Sequence, residues 1–292
     1  MARTRNAVKR QKIATVQSAL FSPDVVFLLA ALLDARDLCQ VSLTCKALGD
    51  KHAAVYNGLS LVEEAARQLF EQNATERERS CLSKYDDEGW IELYHHLLML
   101  RSKLTFDQLV GSNIQYGEDR SIVQTIPGFR MKSSALCRNH VMRAGRHFSV
   151  FTYAGDGFYG VVRPVQIDRS DFVDGEYAFG PGMTVYRNYL RAKQTGRWND
   201  SNVHCCTVLS TGDSRWEDWT DDQPWIKVAG FQFDAPIGLL LDLDEGTLTF
   251  YQYGQRMAIL KDGLSGEYCW YATVYSDTTI SIERGSAPGE RG

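Results

Sequence analysis

The chain has 292 residues, 44% of them apolar and 11% aromatic, and carries a net charge of −4. That length fits roughly two domains, and the composition excludes a globally disordered chain. The weakly acidic balance gives no overall electrostatic reason for a nucleic-acid or membrane partner, so neither is expected. Seven cysteines, odd in number and without a CxxC pair, point to reduced thiols in the cytoplasm or nucleus.

Residues 1–17 read as a basic, disordered tail, with Arg3, Arg5, Lys9, Arg10 and Lys12 ahead of the apolar run "VVFLLAALL". A secretory leader is not expected, because a helix-start signal separates the two and "DARD" stands where small cleavage residues belong. The run is also too short for a bilayer, which needs about 20 residues. The basic tail is at most a weak nuclear-import signal.

Residues 18–60 come next. Ser22 as N-cap, Pro23 at the first helical position and Asp24 at the positive end of the dipole predict a helix to about Leu33. Asp34 caps a second helix, in which Leu38, Val41, Cys45 and Leu48 recur at helical spacing before Gly49 stops it. The first helix is apolar nearly all round, so the rest of the chain or a partner must cover it. These residues resemble an F-box, the helical module that attaches substrate receptors to a cullin-RING ubiquitin ligase. Phe21 takes the usual leucine position, Asp24 the acidic one, and "DLCQVSLTCKAL" follows the family's aspartate-leucine to cysteine-basic pattern. Ser22 replaces the family's proline, with Pro23 displaced by one, and Leu48 replaces its common tryptophan. The resemblance implies a Skp-family adaptor and cullin complex as partners. It also implies an adaptor surface of Phe21, Pro23, Val26, Phe27, Leu29 and Leu38. By pattern alone, a helical hairpin packed on the rest of the chain is the alternative.

Residues 61–118 read as a helical spacer. "LVEEAARQLFEQ" is a good helix former, and "DDEGWIELYHHLLMLRS" places Trp90, Leu93, Tyr94, Leu97 and Leu98 on one face. Between them "NATERERS" reads as an exposed loop. His95 and His96 are adjacent, point different ways around a helix and cannot share one metal ion.

From residue 119 to 285 the character becomes all-β, with residues 286–292 a flexible tail. "HFSVFTY", "YGVVRPV", "CCTVL", "GLLLDL", "LTFYQ", "RMAIL" and "YATVY" are strand-like, and their spacing predicts a sandwich or barrel. Leu239, Leu241 and Leu243 share one strand face, Leu248 and Phe250 the next, "DEGT" turns the chain and Gly254 supplies a positive φ, giving a meander. "LLLDLDEGTLTFYQYGQRMAIL" with "KDGLSGEYCWYATVY" resembles the C-terminal half of a SPRY domain, and "HVMRAGRHFSVFTY" with "FYGVVRP" fits its early strands. The resemblance implies a bent concanavalin-like sandwich that binds peptides or protein surfaces through end loops and is not a catalyst. The expected fold class is therefore α+β, F-box-like helices and spacer followed by a SPRY-like sandwich.

Other motifs dissolve in context. "DLDEG" has its glycine one position early for a calcium loop and lacks the distal glutamate. "GDGFYGVV" satisfies a GxGxxG pattern, but no helix follows and no kinase triplets appear, so a hairpin between the flanking strands is expected. "VHCC" puts successive residues on opposite strand faces with no second ligand pair. There is no GxSxG elbow or HExxH helix, and no cofactor is expected.

Two expected loops, residues 186–198 and 213–225, carry recognition chemistry. "YRNYLRAKQTGRW" holds Arg187, Arg191, Lys193 and Arg197 without an acid, suited to an acidic peptide or RNA. "DSRWEDWTDDQPW" surrounds Trp216, Trp219 and Trp225 with acids, suited to a basic peptide. Arg187, Arg191, Trp216 and Trp219 are the expected target-binding residues. The expected function is a non-catalytic substrate-recognition subunit of a ubiquitin ligase. The alternatives are a SPRY scaffold without ligase role and a carbohydrate-binding or hydrolytic sandwich using the acids beside Trp216 and Trp219.

Overall fold

The computed structural model describes residues 22–50, 58–128, 131–167, 184–198, 201–219, 223–233 and 235–288. The chain divides into two compact units, Met1–Arg101 and Ser102–Gly292, one helical and one β. The fold class is α+β. No helix among the described residues is long and apolar enough to cross a membrane.

In the helical unit α1 spans Pro23–Ala30, with proline in its first turn and Asp24 at its positive end. It stops three residues before the expected Leu33, and the Ser22 side chain makes no capping hydrogen bond. The second helix divides at Cys45, whose backbone is extended, into α2 (Ala35–Thr44) and α3 (Lys46–Gly49). Asp34 caps α2 as expected, accepting from the Asp37 N–H at 2.8 Å. Then come α4 (Leu61–Asn73), α5 (Glu76–Cys81) and α6 (Trp90–Arg101).

Helix α5 lies where an exposed loop was expected. Thr75 and Glu78 form a reciprocal capping box, which satisfies two orphan donors and starts a helix inside a charged stretch. The spacer is not a separate element. Val62, Ala65, Ala66 and Phe70 of α4 and Leu93, Tyr94 and Leu97 of α6 share one buried core with Ala30, Ala35 and Leu38. Two short helices cannot enclose a core, and α4 and α6 complete it.

Glu78 also ties α5 to α6, accepting from Arg101 Nε at 2.6 Å. The hydrogen bond from Arg101 outweighs burial and holds this carboxyl down at about 2. A depressed carboxylate stabilises the fold above its unfolded pKa, and that contribution is lost as pH falls from about 4.5 toward 2. Glu78→Gln is expected to cost about 1–2 kcal/mol at neutral pH, allowing for solvent screening of the partly exposed Arg101. Melting curves of variant and parent should converge as the pH drops through that window.

The β unit contains β1 (Gln108–Val110), β2 (Ile114–Tyr116), β3 (Ile122–Thr125), β4 (Ser133–Leu136), β5 (Arg146–Val162) and β6 (Cys205–Leu209). It continues with β7 (Asp213–Glu217), β8 (Ile226–Lys227), β9 (Ile237–Asp242), β10 (Thr247–Gln252), β11 (Gln255–Lys261) and β12 (Cys269–Arg284). All pairings are antiparallel. The long strands β5 and β12 pair along most of their length and bend together, so that each serves both layers of a sandwich. One layer runs β1-β4-β12-β5-β6-β7-β8, and the other adds β2 and β3 beside β12, and β9, β10 and β11 beside β5. Phe151, Tyr159, Leu239, Leu241, Leu248, Phe250, Trp270 and Ile280 fill the space between.

Two expectations are corrected here. "HFSVFTY" and "YGVVRPV" do not form a hairpin: the first and most of the second belong to the single strand β5, and the glycines between them bend it. Gly155 has φ +88°, and a Cβ there would lie 2.9 Å from the Asp277 carbonyl oxygen, so glycine lets β5 fold closely against β12. Opposite, β12 shifts register between Tyr275 and Thr279, and Ser276 and Asp277 take positive φ. Thr125 Oγ1 accepts from the Thr278 N–H at 3.1 Å and pins the bend. The sandwich also begins before residue 119. Leu104 and Phe106 are buried in its core, and β1 and β2 pair with β4 and β3.

The meander of β9, β10 and β11 has the expected register, Leu241 facing Leu248 and Leu239 facing Phe250. Tyr253 and Gly254 both take positive φ, 51° and 73°, the geometry of the tight hairpin turn.

Candidate target-binding face

Residues 187–198 pack against the outer side of the first layer. The two expected loops are partly regular: residues 184–192 form helix α7 (Thr184–Ala192), which buries Leu190, and 213–217 are strand β7. A 3-10 turn at Gly196–Trp198 buries Trp198, and both buried side chains lie against Val162, Cys205, Cys269 and Tyr271. Residues 191–196 that follow the buried side are exposed, which leaves the basic residues of the segment toward solvent.

Arg163, at the end of β5, organises the support beneath. It is fully buried. Its guanidinium donates to the carbonyls of Ser265, Glu267 and Ser201, each at 2.9 Å, and lies 4.0 Å from the Tyr268 ring centroid. One cation thus gathers three stretches of chain by satisfying carbonyls that have no ladder partner. Sequence reading missed this role; the signal was an arginine inside the apolar run "VVRPV".

On this support Trp198 and Trp219 stack with centroids 6.3 Å apart and planes 10° apart, and His204 lies 4.5 Å from Trp219. His204 Nε2 faces the Asp218 carbonyl at 3.1 Å. Burial first, then the Arg187 and Arg163 charges, push the imidazole down to about 4 against the pull of that carbonyl, so it is neutral at physiological pH. A neutral ring donating from Nε2 presents a bare acceptor at Nδ1, and Nδ1 makes no hydrogen bond. The Trp219 Nε1–H likewise has no acceptor. Arg191 Nη2 donates to the Trp219 carbonyl at 3.2 Å, with the guanidinium carbon 5.8 Å from the indole centroid.

The structure therefore brings Arg187, Arg191 and Trp219 of the expected set together and adds His204 and Trp198. Trp216 is not with them. It sits on β7 opposite Cys206, packs against the core between the layers, and lies under Lys261 Nζ at 4.5 Å. Trp225 is exposed farther along, 5.7 Å from the Arg215 guanidinium. Of the other cations, Arg197 faces Glu267 at 3.9 Å and Lys193 lies over the Tyr189 ring.

Of the expected adaptor surface, Phe21 lies outside the described residues. Val26 and Leu38 are buried in the helical core, because α1 and α2 turn those positions toward α4 and α6. Phe27 is half-buried against the same core and Pro23 is exposed. Leu29 is 48% exposed, beside Leu28 at 72% and Leu32 at 82%, with Leu43 of α2 at 75%.

For metal chemistry, Cys205 and Cys206 face opposite sides of β6, one toward α7 and one toward the core between the layers. Burial pushes the Cys205 thiol up to about 12 and Cys206 still higher, which withholds the thiolate a metal needs. Among the described residues, Glu88, Glu92 and His96 bring three ligand-type atoms within 4.8 Å of one another in the helical unit. None of the seven cysteines is in a disulfide.

No protein-family model matches the chain, and no curated protein does. Among solved structures it is similar to the SPRY domain of human HERC1, at 14% identity and a TM-score of 0.39, over 61% of this chain and 98% of that one. It is similar to the TRIM65 PSpry domain at 15% identity and a TM-score of 0.40, over 61% of this chain and 89% of that one. A third similarity is to stonustoxin, at 14% identity and a TM-score of 0.37, over 62% of this chain and 27% of that one.

Proposed function

We propose that this protein is a non-catalytic recognition subunit. Its helical unit docks on a Skp-family adaptor of a cullin ubiquitin ligase, and its sandwich holds a target protein on the face of α7 and Trp219. The observation that carries the reading is the apolar surface of α1. Leu28 and Leu29, with Leu32 in the turn just after the helix, stay in solvent although the other side of α1 is buried in the helical core, and such a patch marks an interaction site. The F-box-like pattern of residues 21–48 supplies the partner's identity. The same role places the chain in the cytoplasm or nucleus, where its cysteines stay reduced.

The hydrolytic alternative finds less support among the described residues. Trp216 and Trp219 pack in different clusters, and Glu217 beside them is buried, 3.5 Å from Arg215. A SPRY-like scaffold without ligase role remains the second reading, favoured by the self-contained core of the sandwich.

Affinity capture of the full chain from cells, read by mass spectrometry, tests the proposal. Adaptor and cullin should be recovered with a recurrent target. Recovery of a target without either ligase subunit would favour the scaffold. Trp219→Ala should weaken the recovered target by more than about 1 kcal/mol while adaptor recovery is unchanged, since aromatic anchors carry much of an interface's energy. Because the ring also stacks on His204 and Trp198, melting curves of the same variant are needed. Normal affinity in a folded variant would remove Trp219 from the face.

A further inference from the structure

We infer that the face formed by α7 and Trp219 recognises an acidic peptide segment of its target. This rests on the reading of that face as the target-binding one and names the chemistry it selects.

Among the described residues, no carboxylate pairs with the cations at the end of α7. Arg191 and Lys193 are exposed, and no residue from Thr184 to Ala192 is acidic. Arg191 is engaged by the Trp219 carbonyl and indole, and Lys193 by the Tyr189 ring; none of these groups carries a countercharge. The carbonyl contact has a second effect. It holds the guanidinium over the indole, so part of the side-chain entropy that a bound carboxylate would cost is already lost in the free protein. The planar fork keeps further N–H groups for a carboxylate, the geometry of a paired charge-assisted contact.

The neighbouring groups point the same way. Trp219 is half-buried, and the open part of its ring offers an apolar surface beside Arg191 to a side chain flanking the acids. His204, pressed against the same indole, is 2% exposed and presents an Nδ1 with no donor, matching a peptide N–H. Two exposed cations beside a half-buried indole fit an extended peptide with acidic side chains. A cationic segment would meet repulsion from Arg191 and Lys193.

The test uses the full chain and a fluorescein-labelled peptide of about ten residues, mostly glutamate around a central phenylalanine, of the kind charge-complementary faces select. Its partner probe has lysine in place of each glutamate. Fluorescence anisotropy should show saturable binding of the acidic peptide alone, weakening as salt rises from about 50 to 300 mM. Arg191→Glu should reduce affinity at least about tenfold and Lys193→Glu several-fold. Arg120→Glu, an exposed cation over Tyr116 on another part of the unit, should change it less than about twofold. No saturable binding, equal binding of the lysine peptide, or an Arg120→Glu loss matching that of Arg191→Glu would each overturn the inference. Tighter binding of an oligouridylate RNA would overturn it too. Adaptor capture and Trp219-dependent target capture do not involve the probe. If they persist while the acidic peptide fails, the acidic preference falls and the proposed function stands.

Discussion

Leu29→Asp is expected to abolish adaptor capture while leaving the chain folded. Leu29 is 48% exposed and its neighbours Leu28 and Leu32 are more so, which means the free protein already tolerates water at these positions. In a complex the carboxylate would be desolvated without a partner, at a cost of several kcal/mol, or at least about a hundredfold in affinity. The thermal midpoint should move by only a few degrees, since surface substitutions usually change stability by about 0.5 kcal/mol or less. Val26→Asp is the contrast. At 7% exposure Val26 belongs to the core with α4, so that change should unfold the helical unit. Capture that survives a folded Leu29→Asp chain would refute the adaptor surface.

The second large effect is on stability. Arg163→Met should cost about 2–4 kcal/mol, because three carbonyls at Ser201, Ser265 and Glu267 lose their donor inside the protein. Removing a buried cation recovers part of its desolvation penalty, which keeps the loss below the sum of three charged hydrogen bonds. Arg163→Lys should be nearly as damaging. An ammonium on a flexible stem lacks the planar fork that reaches three carbonyls from a place over the Tyr268 ring. Urea denaturation measures the loss. Hydrogen exchange should show the segments around residues 201 and 265–267 opening first, and unchanged protection there would show that the guanidinium is not what holds them.

What could be read in the sequence was local. Asp34 and Ser60 accept from the backbone three residues on, and such caps are decided within one turn of chain. Thr75 and Glu78 carried the same signal inside "NATERERS", where charge hid it. Trp216 and Trp219 illustrate the converse. Side chains three apart along an extended chain point to opposite faces, so their separation was implicit in their numbers, while composition alone grouped them.

By itself the sequence determined the meander of β9, β10 and β11, since alternating leucines and a Tyr253-Gly254 turn specify register over a few residues. It also determined where α1 and α2 begin, through Pro23 and Asp34. Only the tertiary structure decided that β5 is one bent strand, because its bend depends on β12, more than a hundred residues away. The same holds for the separation of Val26 from Leu29, which needs α4 and α6 to claim one side of α1. Arg163, Trp198, His204 and Trp219 come from separate segments and meet because β5 and β6 pair while Leu190 and Trp198 pack on the layer. Burial and electrostatics at that face arise from contacts distant in sequence, and no local pattern encodes them.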